Sequence, residues 1–324
     1  MAMIDTSRDT CDGTGRGSGS GTASGTGDDA DHATDHATDH GGPDTGPDGV
    51  RLHVQRLSPP DGRPLTATAV LIHGLLTDSL ASWYFTVAPD LAAAGLEVVM
   101  YDQRGHGRSE RPGSGYRLDT FVTDLERLLD RLDITGPVHL VGNCFGGTVA
   151  FAYAMRHPER VAGIAVIEAK PATESWLTEI SGILRRVVAE LVVHEAESLA
   201  WVSAHRGAHT ARLAKSAARL VRTTTIAEDV PESRVVSEEQ VGAVRCPVLA
   251  VYGADSELAG QERWLESVLP GTRTVVLPGQ GHSVLAEAPT RIRELLLSWI
   301  HGCEPGTGAP AAEAALEARE ADAS

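Results

Sequence analysis

A chain of 324 residues, 42% of them hydrophobic, has enough apolar material for one large α/β core or two smaller ones. Its formal charge of −16 lies mostly at the ends, with ten Asp against two Arg in residues 1–48 and five acids against one Arg in residues 303–324. The remainder is near neutral, so no basic patch argues for nucleic acid, and no run of eighteen apolar residues argues for a membrane span.

Residues 1–49 form a Gly/Ser/Thr/Asp-rich tail with almost nothing to bury, and disorder is expected there. It contains DHATDHATDH, which sets His32, His36 and His40 four apart; a solvated repeat is the favoured reading over a metal site. The tail has no apolar signal core. Four scattered cysteines (Cys11, Cys144, Cys246 and Cys303) show no CxxC pair, which fits free thiols and a cytoplasmic protein.

The folded part is expected over residues 50–302. An alternating strand starts at Val50, and a more buried one, Thr68–Ile72, runs into His73-Gly74-Leu75-Leu76. A helix is expected over Trp83–Ala94, stopped by Gly95, followed by a buried strand at Val98–Tyr101 and the loop Asp102-Gln-Arg-Gly-His-Gly-Arg-Ser109. Asp119 is positioned to cap a helix whose apolar residues Phe121, Val122, Leu125, Leu128, Leu129 and Leu132 share one face. Further buried strands are read at Val138–Val141, Val161–Ile167, Pro247–Tyr252 and Thr274–Leu277, with helices near Gln261–Leu269 and Thr290–Ile300. Uniformly apolar strands alternating with helices mean a mostly parallel, doubly wound α/β sheet covered on both faces. Residues 171–244 interrupt that alternation with helical periodicity and read as a lid. Residues 303–324 form an Ala/Glu-rich tail with no evident chemistry.

Gly142-Asn143-Cys144-Phe145-Gly146-Gly147 separates a strand from a helix-compatible segment, the layout of a nucleophile elbow with cysteine in the nucleophile's place. Side chains at Gly142 or Gly146 would collide with neighbouring backbone in so tight a turn. The thiol would sit over the first N–H groups of a helix, which favour both a thiolate and an oxyanion. Two other strand ends carry matching chemistry: Asp255 after one, His282 after the next. Nucleophile, acid and histidine in that order define a triad, with His282 as base and Asp255 holding its ring. The N–H groups of Leu75 and Phe145 would form the oxyanion hole. His73 and His106 read as shaping their turns, and His194, His205 and His209 as solvated faces of the lid.

Together His73-Gly74, Asp102–Ser109, Val141–Gly147, Gly253-Ala-Asp255 and Gly281-His282 resemble the α/β-hydrolase superfamily over residues 50–301. The elbow is most similar to the Gly-Asn-Ser-Xaa-Gly-Gly form of its carbon–carbon hydrolase and esterase branch, with serine replaced. Cysteine elbows of related shape occur in dienelactone hydrolases, polyhydroxyalkanoate synthases and Dieckmann cyclases. The resemblance often places the acid where this chain has Ser256, with Asp255 one residue early and Glu257 one late. Some relatives carry it at the preceding strand end, which makes Glu168 the alternative acid.

A thiol in this position favours one kind of chemistry. Thiolate attack on a thioester exchanges one thioester for another at nearly equal free energy, so the acyl-enzyme stays activated toward carbon, nitrogen or oxygen nucleophiles. The expected function is acyl chemistry on a small-molecule or carrier-bound acyl or polyketide thioester, by hydrolysis, transfer or cyclisation. No cofactor, metal, nucleic acid or membrane partner is expected. Two rivals stay open: a cofactor-free hydrolase of esters, lactones or C–C bonds, and a catalytically silent binding protein of the same fold.

Overall fold

Apolar runs too short for helices and bounded by glycine or proline become the strands of one sheet. In the computed structural model, which describes residues 44–45 and 49–302, nine strands form: β1 (Asp44–Thr45), β2 (Arg51–Leu52), β3 (Val54–Leu57), β4 (Ala67–Ile72), β5 (Leu96–Tyr101), β6 (Val138–Asn143), β7 (Val161–Ile167), β8 (Val248–Gly253) and β9 (Arg273–Leu277). β1 and β2 pair by themselves. The other seven follow the order β3-β5-β4-β6-β7-β8-β9, parallel throughout except that β3 runs antiparallel to β5.

The helices are α1 (Ala81–Tyr84), α2 (Ala88–Ala93), α3 (Leu118–Arg131), α4 (Phe145–Arg156), α5 (Glu174–Val188), α6 (Glu195–Thr223), α7 (Ile226–Asp229), α8 (Glu238–Gly242), α9 (Gln261–Val268), α10 (Val284–Glu287) and α11 (Pro289–Gly302). Alternate side chains of each strand feed opposite layers. Val70 and Ile72 of β4 face the layer holding Phe121, Leu125 and Phe151, whereas Leu71 faces the layer holding Trp83, Leu91, Leu295 and Trp299. Among the described residues, no helix is long and apolar enough to cross a membrane.

Three expectations shift in detail. The single strand from Val50 divides into β2 and β3, because His53 turns its N–H to the Ser109 hydroxyl (2.8 Å) and its carbonyl to Asp102 N–H. The helix expected over Trp83–Ala94 becomes two, since Pro89 has no N–H to continue it and instead opens α2 in its first turn. Arg117, not Asp119, occupies the cap of α3, and Asp119 lies in its first turn. Between β7 and β8 the chain is helical from α5 to α8, with a π-helical turn at Ala189–Val193 and a break inside α6 at Gly207 (φ 86°). The N-terminal tail expected to end at residue 49 differs at its end, where Asp44–Thr45 pair with β2 as β1; the His32/His36/His40 repeat and the tail over residues 303–324 lie outside the described residues.

The loop after β5 is pinned to α3 by a buried ion pair. Arg104 Nε and Nη2 donate to the two oxygens of Asp124 at 2.6 and 2.9 Å, and Nη1 reaches Gly115 O at 2.8 Å. This fork fixes the loop whose next residues touch the site.

Candidate active site

β6 ends and α4 begins within one residue, and that residue is Cys144. Its backbone takes φ 51°, ψ −121°, a strained conformation for a residue with a side chain. Two bonds hold it there: Cys144 N–H to Ile167 O (2.9 Å) and Gly147 N–H to Cys144 O (3.0 Å). The glycines serve the turn as the sequence suggests. A Cβ on Gly146 would overlap the Ile72 carbonyl, and one on Gly142 would overlap Gly147. Cys144 as a residue is half-buried.

The loop after β9 carries His282 to the same place, and its ring is hydrogen-bonded to the Cys144 thiol. Two carboxylates stand at Nδ1: Glu168 Oε2 at 3.2 Å and Glu257 Oε1 at 3.3 Å. Neither is well aligned with the N–H, so the ring nitrogen sits between the two. That leaves Nε2 for the sulfur. Glu168 follows β7 at φ 51° with a fully buried side chain; it also accepts from Gly253 N–H and from the Ser256 hydroxyl. Glu257 is about half exposed, at 53%.

Asp255 requires a correction. Its side chain is exposed, and among the described residues no ion pair joins it to His282. The physical reason is the turn after β8: Asp255 N–H binds Gln280 O and Ser256 N–H binds Gly253 O, which buries Ser256 and sends Asp255 outward. The carboxylate buried at the ring is the alternative, Glu168. Glu257 was legible only as the acid one residue late.

The electrostatics make Cys144 and His282 one unit. Burial raises the thiol, but the hydrogen bond and charge of His282, helped by the Phe145 N–H, outweigh it and leave the pKa below the ordinary value. Burial lowers the imidazole, yet the Cys144 thiol and the Glu168 carboxylate close to its ring prevail and push it up to about 10. The thiolate–imidazolium form is therefore the favoured one.

The loop after β4 faces this pair. Gly74 N–H donates to Asp78 Oδ2 (2.6 Å), Leu76 N–H to His106 Nε2 (2.8 Å) and Thr77 N–H to Leu75 O (2.9 Å). Among the described residues, no hydrogen bond uses the Leu75 N–H between them. Leu76 sits at φ 68°, and its imidazole partner is held neutral: burial drives His106 down to about 3. His73 likewise accepts Gln103 N–H at Nε2 (2.9 Å) and meets Gly74 O at Nδ1 (2.6 Å). Both histidines shape the turn, as their positions suggested. From the helical insert, Trp176 stacks on Phe145 (ring centroids 6.3 Å apart, 27° between planes), next to Cys144. Among the described residues, no group of three His, Cys, Asp or Glu side chains could hold a metal ion.

A strand–elbow–helix turn carrying Cys144, a histidine after the last strand and a parallel sheet between them define an α/β-hydrolase-fold enzyme. Residues 69–289 match the model of the alpha/beta hydrolase fold family, and the chain belongs to that family. It is 27% identical over 271 residues to a candidate 2-succinyl-6-hydroxy-2,4-cyclohexadiene-1-carboxylate synthase of Bacillus subtilis, covering 78% of this chain and 96% of that protein. Epoxide hydrolase B of Mycobacterium tuberculosis is 40% identical over 122 residues, 37% of this chain and 33% of its own length. This chain therefore spans about a third of that relative. A thermophilic esterase from Thermogutta terrifontis shares the fold with TM-score 0.65 at 20% identity, covering 81% of this chain and 98% of the esterase.

Proposed function

We propose that the protein processes acyl thioesters through a covalent intermediate on Cys144, with His282 as acid and base and Glu168 as the carboxylate that holds its ring. The observation that carries this reading is the meeting of the His282 ring with the Cys144 thiol, while its Nδ1 stands 3.2 Å from the buried Glu168 carboxylate. Thiolate sulfur attacks the thioester carbonyl, and the resulting oxyanion meets the N–H groups of Leu75 and Phe145. Collapse expels the donor thiolate, which takes the proton from His282. The acyl group is left as a thioester on Cys144. His282, now neutral, removes a proton from the acceptor as it attacks and keeps it while Cys144 leaves as a thiolate, which restores the thiolate–imidazolium pair.

A thioester intermediate keeps its activation, which favours transfer or cyclisation of an acyl or polyketide chain over simple hydrolysis. The insert between β7 and β8 acts as a cover, with Trp176 over Phe145 excluding water from the acyl chain. The chain's similarity to a synthase and to an epoxide hydrolase supports an α/β-hydrolase enzyme. It also keeps the second reading in play, cofactor-free hydrolysis of esters, lactones or C–C bonds.

Intact-protein mass spectrometry after mixing with a panel of acyl thioesters tests the proposal. The wild type gains the mass of one acyl group, Cys144→Ala gains none, and the adduct is discharged faster by an amine, alcohol or carbon acid than by water. Discharge to water only selects the hydrolase reading. An unmodified wild type with every thioester overturns the proposal.

A further inference from the structure

A carboxylate that the triad does not use lies against the nucleophile turn. Asp78 Oδ2 accepts from Gly74 N–H at 2.6 Å and from Asn143 Nδ2 at 3.2 Å, while Oδ1 accepts from Ser79 N–H at 2.9 Å and from the Ser82 hydroxyl. A Cβ built on Gly74 would stand 3.0 Å from Asp78 Oδ2 and 3.3 Å from Cys144 Cβ, so carboxylate and nucleophile flank one glycine. Four donors fill the acceptor sites of an ionised carboxylate. Nothing remains for a substrate, which excludes Asp78 as a base for the acceptor. Burial raises its pKa, but His73 and these donors outweigh that and keep it ionised.

Negative charge beside a developing oxyanion is unfavourable by itself, so the carboxylate must offset that cost by what it holds in place. It holds two separate segments. One is the loop after β4, through Gly74 and the start of α1; the other is the elbow, through Asn143, the residue before Cys144. The two N–H groups of the oxyanion hole come from these same segments, Leu75 from the loop and Phe145 from the elbow. Asp78 also removes the Gly74 N–H from competition, as His106 removes that of Leu76.

We propose that Asp78 is a positioning residue which, through Asn143, sets the separation of the Leu75 and Phe145 N–H groups and thereby governs acylation of Cys144. The inference rests on the oxyanion-hole reading above, and it does not require the natural donor to be a thioester.

The test separates a reaction that needs the hole from one that does not. Acylation of Cys144 by p-nitrophenyl acetate passes through an oxyanion, whereas iodoacetamide alkylates the same sulfur by direct displacement. Asp78→Asn and Asn143→Ala are each expected to slow the nitrophenolate burst roughly tenfold to a hundredfold, less than the roughly 10²- to 10³-fold loss on deleting an oxyanion donor outright. Their alkylation rates at pH 7 should stay within about twofold of wild type. A double-variant cycle should show the Asn143→Ala effect largely absent in the Asp78→Asn background. Should Asp78→Asn fail to fold, Asn143→Ala and Ser82→Ala carry the same comparison. Equal loss in both reactions would mean simple disruption of the site and would overturn the inference, as would wild-type burst rates in the variants or no burst in the wild type. Wild-type acylation by the ester but by no thioester would sink the thioester reading and leave this one standing.

Discussion

The Ser256 hydroxyl donates to Oε2 of Glu168, the same oxygen that lies 3.2 Å from His282 Nδ1. Ser256 follows β8 at the point where the family resemblance would put an acid, and here it supports one supplied by β7 instead. The carboxylate at the ring stands at the end of β7, one strand along from β8, whose own end presents a small donor to it.

Glu168→Gln should therefore lower kcat/KM about 10²- to 10⁴-fold, because an amide cannot stabilise the imidazolium and favours the wrong tautomer. Asp255→Asn should remain within about twofold of wild type. Glu257 is exposed and shares the ring, so Glu257→Gln should cost only a few-fold. Steady-state kinetics on one acyl substrate ranks the three, and a larger loss from Asp255→Asn than from Glu168→Gln would reverse the assignment.

Because Ser256 already faces the ring's carboxylate, the acid can be moved back. Glu168→Ser removes it, and adding Ser256→Asp should recover at least tenfold of the lost activity, on the scale of about 1.4 kcal/mol per factor of ten. Kinetics of the single and double variants measure this; a double variant no better than Glu168→Ser would show that the β8 end cannot orient His282.

Two glycines with opposite surroundings test the elbow. A Cβ on Gly146 meets the Ile72 carbonyl, so Gly146→Ala should destabilise the fold by about 3 kcal/mol or more and abolish Cys144 reactivity. Gly182, inside α5, has nothing within 4 Å of its would-be Cβ. There, alanine should stabilise by about 0.5–1 kcal/mol. Urea unfolding midpoints distinguish the two.

The Arg104–Asp124 pair is inaccessible to solvent on both sides, with side-chain exposures of 0% and 2%. Removing one partner leaves a buried charge, and Asp124→Ala should cost about 3–5 kcal/mol. Denaturant unfolding reads it directly; a loss below 1 kcal/mol would mean that water reaches Arg104.

How much of this was legible depends on the scale of the question. Continuous apolar runs such as Val161–Ile167 are long enough only for buried strands, and glycines at 142, 146 and 147 around a lone cysteine leave few alternatives to an elbow. Pro89 was present in the sequence but was outweighed by the periodicity around it. The acid was harder, because which of Ser256, Asp255 and Glu257 faces inward is decided by the local Ser256–Gly253 turn together with the bond from Asp255 N–H to Gln280 O in another segment. Spacing along the chain holds no such information. Asp78 was unreadable for the same reason, since its role appears only when the loop after β4 meets Asn143 across the sheet.

The central claim is that Cys144 and His282 form a thiolate–imidazolium pair, and the pH dependence of Cys144 alkylation by iodoacetamide tests it most directly. Cys144 is lowered, so the rate should climb through a midpoint below the free-thiol value of ~8.5 and should not fall as His282 loses its proton at about 10, because the sulfur stays a thiolate. In His282→Ala the midpoint should return to ~8.5 or above, with slow alkylation at pH 7. A wild-type curve that matches His282→Ala, rising only as an ordinary thiol does, would contradict the account.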